Sequence, residues 1–316
     1  MILVFALACD FGAAPAPADT AEVVFDVPRG SSARGIGPGL EEEGLVTSAG
    51  NWTWFLRLGA DGSCLKAGKH RVSRAMSAKE LLAALCANPI PDDIPFTVLE
   101  GWRIRDIDAA LAEKRLIQPG EYVEATRHGA DYSPPFPVPV GSLEGFLFPE
   151  TYQVTPDRFS AHGFVERQLK EFGDRFGTAV GRGGARPLDQ VVIVASMVER
   201  EEANPKNRPL VAGIIWKRLD ADWNLGIDAT SRYSLNDWND EAAFLHQLFD
   251  ATDLYNTRIR GGLPPTAIGN PGVVSLEAAL HPEVTDYWYY LHDSGGTIHP
   301  SRTAGEHEAL KRRYIR

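Results

Sequence analysis

The chain has 316 residues, 44% hydrophobic and 23% charged, a globular balance that excludes a disordered tail protein. Its 32 Lys and Arg against 42 Asp and Glu leave a net charge of −10, the wrong sign for a nucleic-acid binder that must neutralise phosphates. Three cysteines without a CxxC pair exclude a zinc ribbon and a dense disulfide scaffold, and the length suits about two domains.

Residues 1–21 read as the remnant of an anchor or signal plus a linker. Met1–Cys9 (MILVFALAC) is apolar and uncharged, shorter than the ~20 residues that cross a bilayer and without the basic start of a secretory signal. Ala13–Ala21 (AAPAPADTA) is a stiff linker of the kind that follows an anchor. Three readings stand: the tail of an N-terminal membrane helix, a shortened lipoprotein signal acylated at Cys9, or a disordered start. With Cys9 in an anchor, Cys64 and Cys86 remain, either as a pair in an oxidising compartment or as two separate buried thiols.

From residue 22 to 90 the pattern predicts a compact strand, helix, helix, strand, helix unit. Val23–Val27 alternates as a strand, and Ser31 or Ser32 is placed to cap a helix running to Glu41–Glu43. Gly35–Gly39 (GIGPG) compromises that helix with three glycines and a proline. Asn51 is read as the cap of a second helix (WTWFLRL), Leu65–Val72 as a turn and strand, and Ser77 as the cap of AKELLAALC.

Residues 91–316 read as a larger unit. Phe96–Leu99 begins a strand, and Arg103–Glu113 is an amphipathic helix with Ile104, Ile107, Ala110 and Leu111 on one side. Proline-rich Ser133–Val140 breaks the chain, Phe164–Phe176 is a helix, and Arg182–Pro187 a Gly/Arg loop. Leu188–Val198 (LDQVVIVASMV) is apolar nearly all round, as a buried core helix would be. Leu210–Leu219 is a further helix. Leu254–Gly272, dense in turn formers and side-chain amides, is a rigid irregular wall because Pro264, Pro265 and Pro271 fix its backbone.

There is no GxxxxGK[ST] loop, HExxH helix or GxSxG elbow, and His292, His299 and His307 suit loops or a surface helix better than a metal site. What remains is carboxylate chemistry at Glu199-Arg200-Glu201-Glu202. Charges that end a core helix are ordinarily solvated. Here the apolar helix could set one of them in the floor of a cleft, and the negative helix end and partial desolvation would both raise its pKa, as a general acid needs. Residues two apart on a helix point in nearly opposite directions, so Glu199 and Glu201 cannot share one substrate; spacing does not choose between them. Amides, hydroxyls and aromatics on rigid loops suit a carbohydrate, and a peptide nearly as well.

Six ordered stretches carry a family resemblance: EGFLFPETY (Glu144–Tyr152), ASMVEREE (Ala195–Glu202), RPLVAGIIWKRL (Arg208–Leu219), LGIDATSRY (Leu225–Tyr233), YNTRIRGGLPPTAIGNPG (Tyr255–Gly272) and SLEAALHPEVTDYWYY (Ser275–Tyr290). Upstream, VPRGSSAR, LKAGKHRVS and LEGWRIRDI agree as well. Over residues 22 to 310 the chain resembles the YceG-like (MltG-like) endolytic murein transglycosylases of the bacterial inner membrane.

The resemblance implies an α+β protein, with a LysM-like subdomain at 22–90 and a catalytic domain at 91–316. It implies cleavage of the MurNAc–GlcNAc β-1,4 bond of nascent peptidoglycan, with 1,6-anhydro ends that terminate strand elongation. It further implies the catalytic role for Glu201, with Glu199 in support. Asp228, Thr230, Tyr233, Tyr255, Asn256 and Asn270 are expected to bind substrate, and no metal or organic cofactor is implied. The partners it implies are the glycan strand, a cell-wall synthase complex and the membrane through one N-terminal anchor, with the catalytic domain expected outside the inner membrane. The alternatives are a water-using muramidase and a catalytically silent glycan-binding module that recruits synthases. The chain departs from the family in having Gly226-Ile227-Asp228-Ala229-Thr230 where Gln-x-Asp-Pro-Thr is usual, which removes an amide. It also has His299-Pro300 in its GGTIHPSRTAGEH segment, where an aromatic neighbourhood is usual, while Glu306 and His307 persist.

Overall fold

The computed structural model describes residues 12–177 and 186–315. The apolar start with Cys9, and most of the 182–187 loop, lie outside the described residues. The chain divides into two compact units, Met1–Asp93 and Ile94–Arg316.

In the first unit, β1 (Glu22–Val27) pairs antiparallel with β2 (Gly68–Ser73), Glu22 opposite Ser73 and Val27 opposite Gly68. Alternation turns Phe25 and Val27 inward, against Val72 on the facing strand. Between the strands lie α1 (Gly37–Glu42) and α2 (Ala49–Arg57), and α3 (Ala78–Cys86) follows them. Trp52 is buried among Leu40, Leu56, Leu81 and Leu85, and its indole N–H donates to Ala33 O at 2.6 Å.

Two helix starts differ from the sequence expectation. Neither Ser31 nor Ser32 caps α1; Ser32 Oγ accepts the Gly35 N–H in a turn, and the helix opens after Ile36. Pro38 then falls in the first turn, where its missing N–H costs nothing, so GIGPG sets the start of the helix instead of breaking it. The cap of α2 is Ser48, whose Oγ accepts the N–H of Asn51; Asn51 is the third helical residue, not the cap. Ser77 does cap α3, in a reciprocal capping box with Glu80. Cys64 and Cys86 form a disulfide, with Cα atoms 5.1 Å apart.

The second unit is mainly helical. β3 (Ile94–Thr97) pairs antiparallel with β4 (Thr151–Val154), and between them come α4 (Ile104–Glu113) and α5 (Glu121–Ala125). α6 (Ala161–Phe172) starts three residues before the expected Phe164, because Ser160 caps it, and passes into a wider turn at Gly173–Gly177. α7 (Leu188–Glu201) is the core helix, with Val191, Val192, Val194, Ala195, Met197 and Val198 essentially inaccessible. Each such valine is worth roughly 1.5–3 kcal/mol in burial. α8 (Arg208–Asp220) and α11 (Val273–Leu280) pack against α7, while α9 (Asp228–Tyr233) and α10 (Glu241–Gln247) lie between them in sequence. β5 (Tyr289–His292) and β6 (Ile298–Ser301) form a hairpin, followed by α12 (Ala304–Tyr314). His292 and His299 therefore lie on strands, not on loops or a surface helix, and only His307 lies on a helix. Helices with small antiparallel sheets make the protein α+β. No helix among the described residues is long and apolar enough to cross a membrane.

Candidate active site at the end of the core helix

α7 runs three residues past the apolar stretch, so Glu199 and Glu201 sit on its last turn and Glu202 closes it. None of the four charged residues is simply solvated, as the ends of core helices usually are. Glu199 faces Arg208 in a two-pronged ion pair, Nη2 to Oε1 at 2.8 Å and Nη1 to Oε2 at 3.2 Å, and accepts the Gly272 N–H at 3.0 Å. Arg200 lies 3.6 Å from the centre of the Trp238 ring. Glu202 is buried; Oε1 accepts the Asn204 N–H, and Oε2 lies 3.1 Å from His292 Nε2. Three residues are thus clamped, which fixes the direction of the fourth.

Glu201 is partly buried, and Tyr290 on β5 donates its hydroxyl proton to Oε2 at 2.9 Å. Burial pushes the Glu201 carboxyl above its ordinary value and the charge of Asp228 adds to this, while Tyr290, His292 and the Ala229 N–H act the other way. Burial is the largest of these causes. Behind Tyr290 stands Arg218, whose guanidinium donates to Trp288 O at 2.9 and 2.6 Å. A carboxyl that holds its proton longer than usual in a partly covered position can protonate a leaving oxygen and then take a proton back.

The residues expected to bind substrate fall into three groups. Asp228 opens α9 on the Glu201 side and is paired with Arg258 through Nε at 2.9 Å. Thr230, Asn256 and Asn270 were expected to bind substrate but are fully buried. Thr230 Oγ1 bonds Ile227 O and Thr257 Oγ1, and Asn256 Nδ2 donates to the carbonyls of Gln247, Leu248 and Asp250. Asn270 Oδ1 accepts from Gly145 and Leu147, both at 3.0 Å, and its Nδ2 donates to Trp102 O. These side chains satisfy buried backbone groups, so they build the wall without facing a ligand.

Tyr233 and Tyr255 lie against each other, ring centres 4.6 Å apart and planes tilted by 41°, beside a second carboxyl rather than beside Glu201. Tyr233 OH donates to Glu144 Oε2 at 2.9 Å, and Tyr255 OH bonds Thr266 Oγ1. Glu144 is buried, accepts the Ile104 N–H that starts α4, and is pushed by burial to about 7. The next residue, Gly145, has φ +95°, and a Cβ there would lie 2.6 Å from Val192 Cγ1, so the backbone meets α7 only as glycine. At the departure point, Gly226 has φ +62°, again a glycine conformation, and faces open space.

Two surface hollows, of about 620 and 670 Å³, are lined one by Trp216, Lys217 and Trp288 and the other by His292, Asp293 and Arg313, so the second reaches the site through His292. Neither includes Glu201. Volume does not single out Glu201; its buried, hydrogen-bonded environment does. The sequence reading missed Tyr290, His292, Arg218 and Glu144 as site residues. Only Tyr289 and Tyr290 of the aromatic run YWYY lie on β5, where alternation sends the two rings to opposite faces, and Glu144 opens a stretch already notable for its glycine, but neither signal names a partner.

A model of the YceG-like family matches residues 25–313. An endolytic murein transglycosylase of Bacillus subtilis (strain 168) is 26% identical over 309 residues, taking in 93% of this chain and 85% of the relative. One from Streptococcus pneumoniae serotype 2 (strain D39 / NCTC 7466) is 22% identical over 318 residues and 90% of this chain; the match spans only 57% of that relative's length. In fold the chain is similar to the crystal structure of a YceG-like protein from Listeria monocytogenes. The TM-score is 0.60 at 24% identity, covering 92% of this chain and 99% of the other.

Proposed function

The chain belongs to the YceG-like family, and from that premise we propose that it is an endolytic murein transglycosylase with Glu201 as its single acid and base. The observation that carries the residue assignment is the contrast on one helix turn: Glu199 is locked by Arg208 and Gly272, while Glu201 has a raised pKa and one side-chain donor.

A glycosidase that uses water needs two carboxylates. Here protonated Glu201 gives its proton to the oxygen between MurNAc and GlcNAc as the C1–O4 bond breaks. The resulting carboxylate takes the proton of the same MurNAc C6 hydroxyl, whose oxygen bonds C1. The proton count closes, no water is consumed, and the product end is 1,6-anhydro-MurNAc. The internal nucleophile gains by proximity. Asp228, paired with Arg258, shapes the rim and raises the acid's pKa. Such cleavage would end elongation of a nascent strand.

Residues 22–90 are proposed as a LysM-like, peptidoglycan-associated unit; the order β1, α1, α2, β2 supports this. A location outside the inner membrane, with an N-terminal anchor and a synthase complex nearby, is proposed on the apolar start and the Cys64–Cys86 disulfide, which suits an oxidising space.

Purified glycan strands digested in H₂¹⁸O and read by mass spectrometry test the reaction. The expected products are anhydro ends without ¹⁸O. Reducing ends carrying ¹⁸O would make the protein a muramidase, and binding without cleavage a silent module. Glu201→Gln should lower the rate about 10³- to 10⁴-fold with the fold intact. Glu199→Gln should lose less in the chemical step. An active Glu201→Gln protein beside a folded but dead Glu199→Gln protein would transfer the role to Glu199.

A further inference from the structure

We propose that Tyr290 is a positioning residue that holds Oε2 of Glu201 by its hydroxyl, leaving Oε1 to carry the proton bound for the glycosidic oxygen. This rests on Glu201 being the acid, and adds to that reading which oxygen acts and what aims it.

Tyr290 reaches Glu201 from β5, on a strand paired to β6 with Tyr290 opposite Pro300. Its main chain is fixed close by, since Arg218 bonds the carbonyl of Trp288 with two nitrogens and lies 5.9 Å from the Tyr290 ring centre. Burial, and then the charge of Glu201, hold the Tyr290 hydroxyl well above its ordinary range, so it stays a donor at any working pH. A donor that never ionises can make the same bond in both half-reactions. With Glu201 protonated, Oε2 is the carbonyl oxygen that accepts, and the acid proton sits on Oε1. With Glu201 ionised, the bond becomes charge-assisted and stronger. It therefore favours departure of the proton without turning the carboxyl.

Four other groups bear on Glu201: Asp228 and the Ala229 N–H from α9, His292 from β5, and Arg218 from α8. Tyr290→Phe leaves all four in place, keeps the ring under Arg218, and removes only the hydroxyl. A carboxylate that loses a donor is a weaker acid. Because the free enzyme must hold Glu201 protonated, the alkaline limb of kcat/KM against pH moves up.

The test is that profile for the wild type and Tyr290→Phe. The limb should rise by about one to two pH units, with kcat near neutrality about tenfold lower and KM within about twofold. A loss of rate with the limb unmoved would reduce Tyr290 to a structural residue, and a downward shift would reverse the argument. Placing 3-fluorotyrosine at position 290 strengthens the donor without removing it and should move the limb down, which decides the matter if the Phe variant folds poorly. The Glu201 carboxyl can also be titrated by ¹³C NMR in both proteins without substrate. If the wild type cleaves no glycan, the enzymatic reading fails, while an equal titration of Glu201 in the two proteins separately overturns the role of Tyr290.

Discussion

At neutral pH the Glu144 carboxyl, held near 7 by burial, is about half ionised, although its hydrogen-bond neighbours are all donors: the Ile104 N–H, Tyr233 OH and Asn270 Nδ2. Those donors favour the charge and burial opposes it, and burial is the larger. The folded value lies above the ordinary 4.5, so the folded state binds this proton more tightly than the unfolded chain. The stability it contributes is present below about pH 4.5 and is lost as pH rises through 7, by about 3 kcal/mol in all. Melting temperatures from pH 4.5 to 8 should fall in the wild type with a component missing from Glu144→Gln, whatever the offset between the two proteins. Parallel curves would show that another group is responsible. Glu199 behaves differently, because its partner Arg208 is buried with it. Glu199→Gln leaves that cation unpaired and should cost about 3–5 kcal/mol of stability, separating it from the catalytic loss at Glu201.

The last turn of α7 is tied down by ion pair, ring contact and buried carboxylate, which makes it unlike an ordinary helix end. Amides of Val198 to Glu202 should exchange with solvent only as fast as the second unit unfolds. Fast exchange there, with Val191 to Val194 still protected, would contradict a rigid platform for the acid. The helix itself was legible in the sequence because its signal is local: an apolar run, a proline before it, charges after it. The Ser77 cap was legible for the same reason. Ser48 was passed over for Asn51 because both are good caps three residues apart, and only backbone geometry separates them. Thr230, on a short helix between loops, and Asn256 and Asn270, in irregular segments, read as surface groups because polar residues in such places usually are. Buried irregular backbone needs internal partners, and these side chains supply them. The Tyr290 contact to Glu201 spans 89 residues, and no local pattern encodes it.

On the scale of the whole molecule, the two units are held by different means. The first has a small core and a disulfide whose cysteines are 22 residues apart, a loop worth about 3 kcal/mol when closed. Replacing Cys64 and Cys86 by serine should weaken the first unit by about that amount, read as faster hydrogen exchange at Leu81 and Leu85, with exchange at Val194 unchanged. Equal protection before and after would show that the bond adds nothing. The second unit relies on contacts between distant parts of the chain: Trp102 with Asn270, Glu144 with Tyr233, Glu201 with Tyr290. Pairings of that kind close late and slowly, since long loops must be ordered first. Ribosomes add residues at roughly 5–20 per second, so several seconds separate the synthesis of Glu201 from that of Tyr290. Glu201, the proposed acid, is thus made well before the residue proposed to aim it exists, and a chain halted in that interval would carry the carboxyl without the means to direct it.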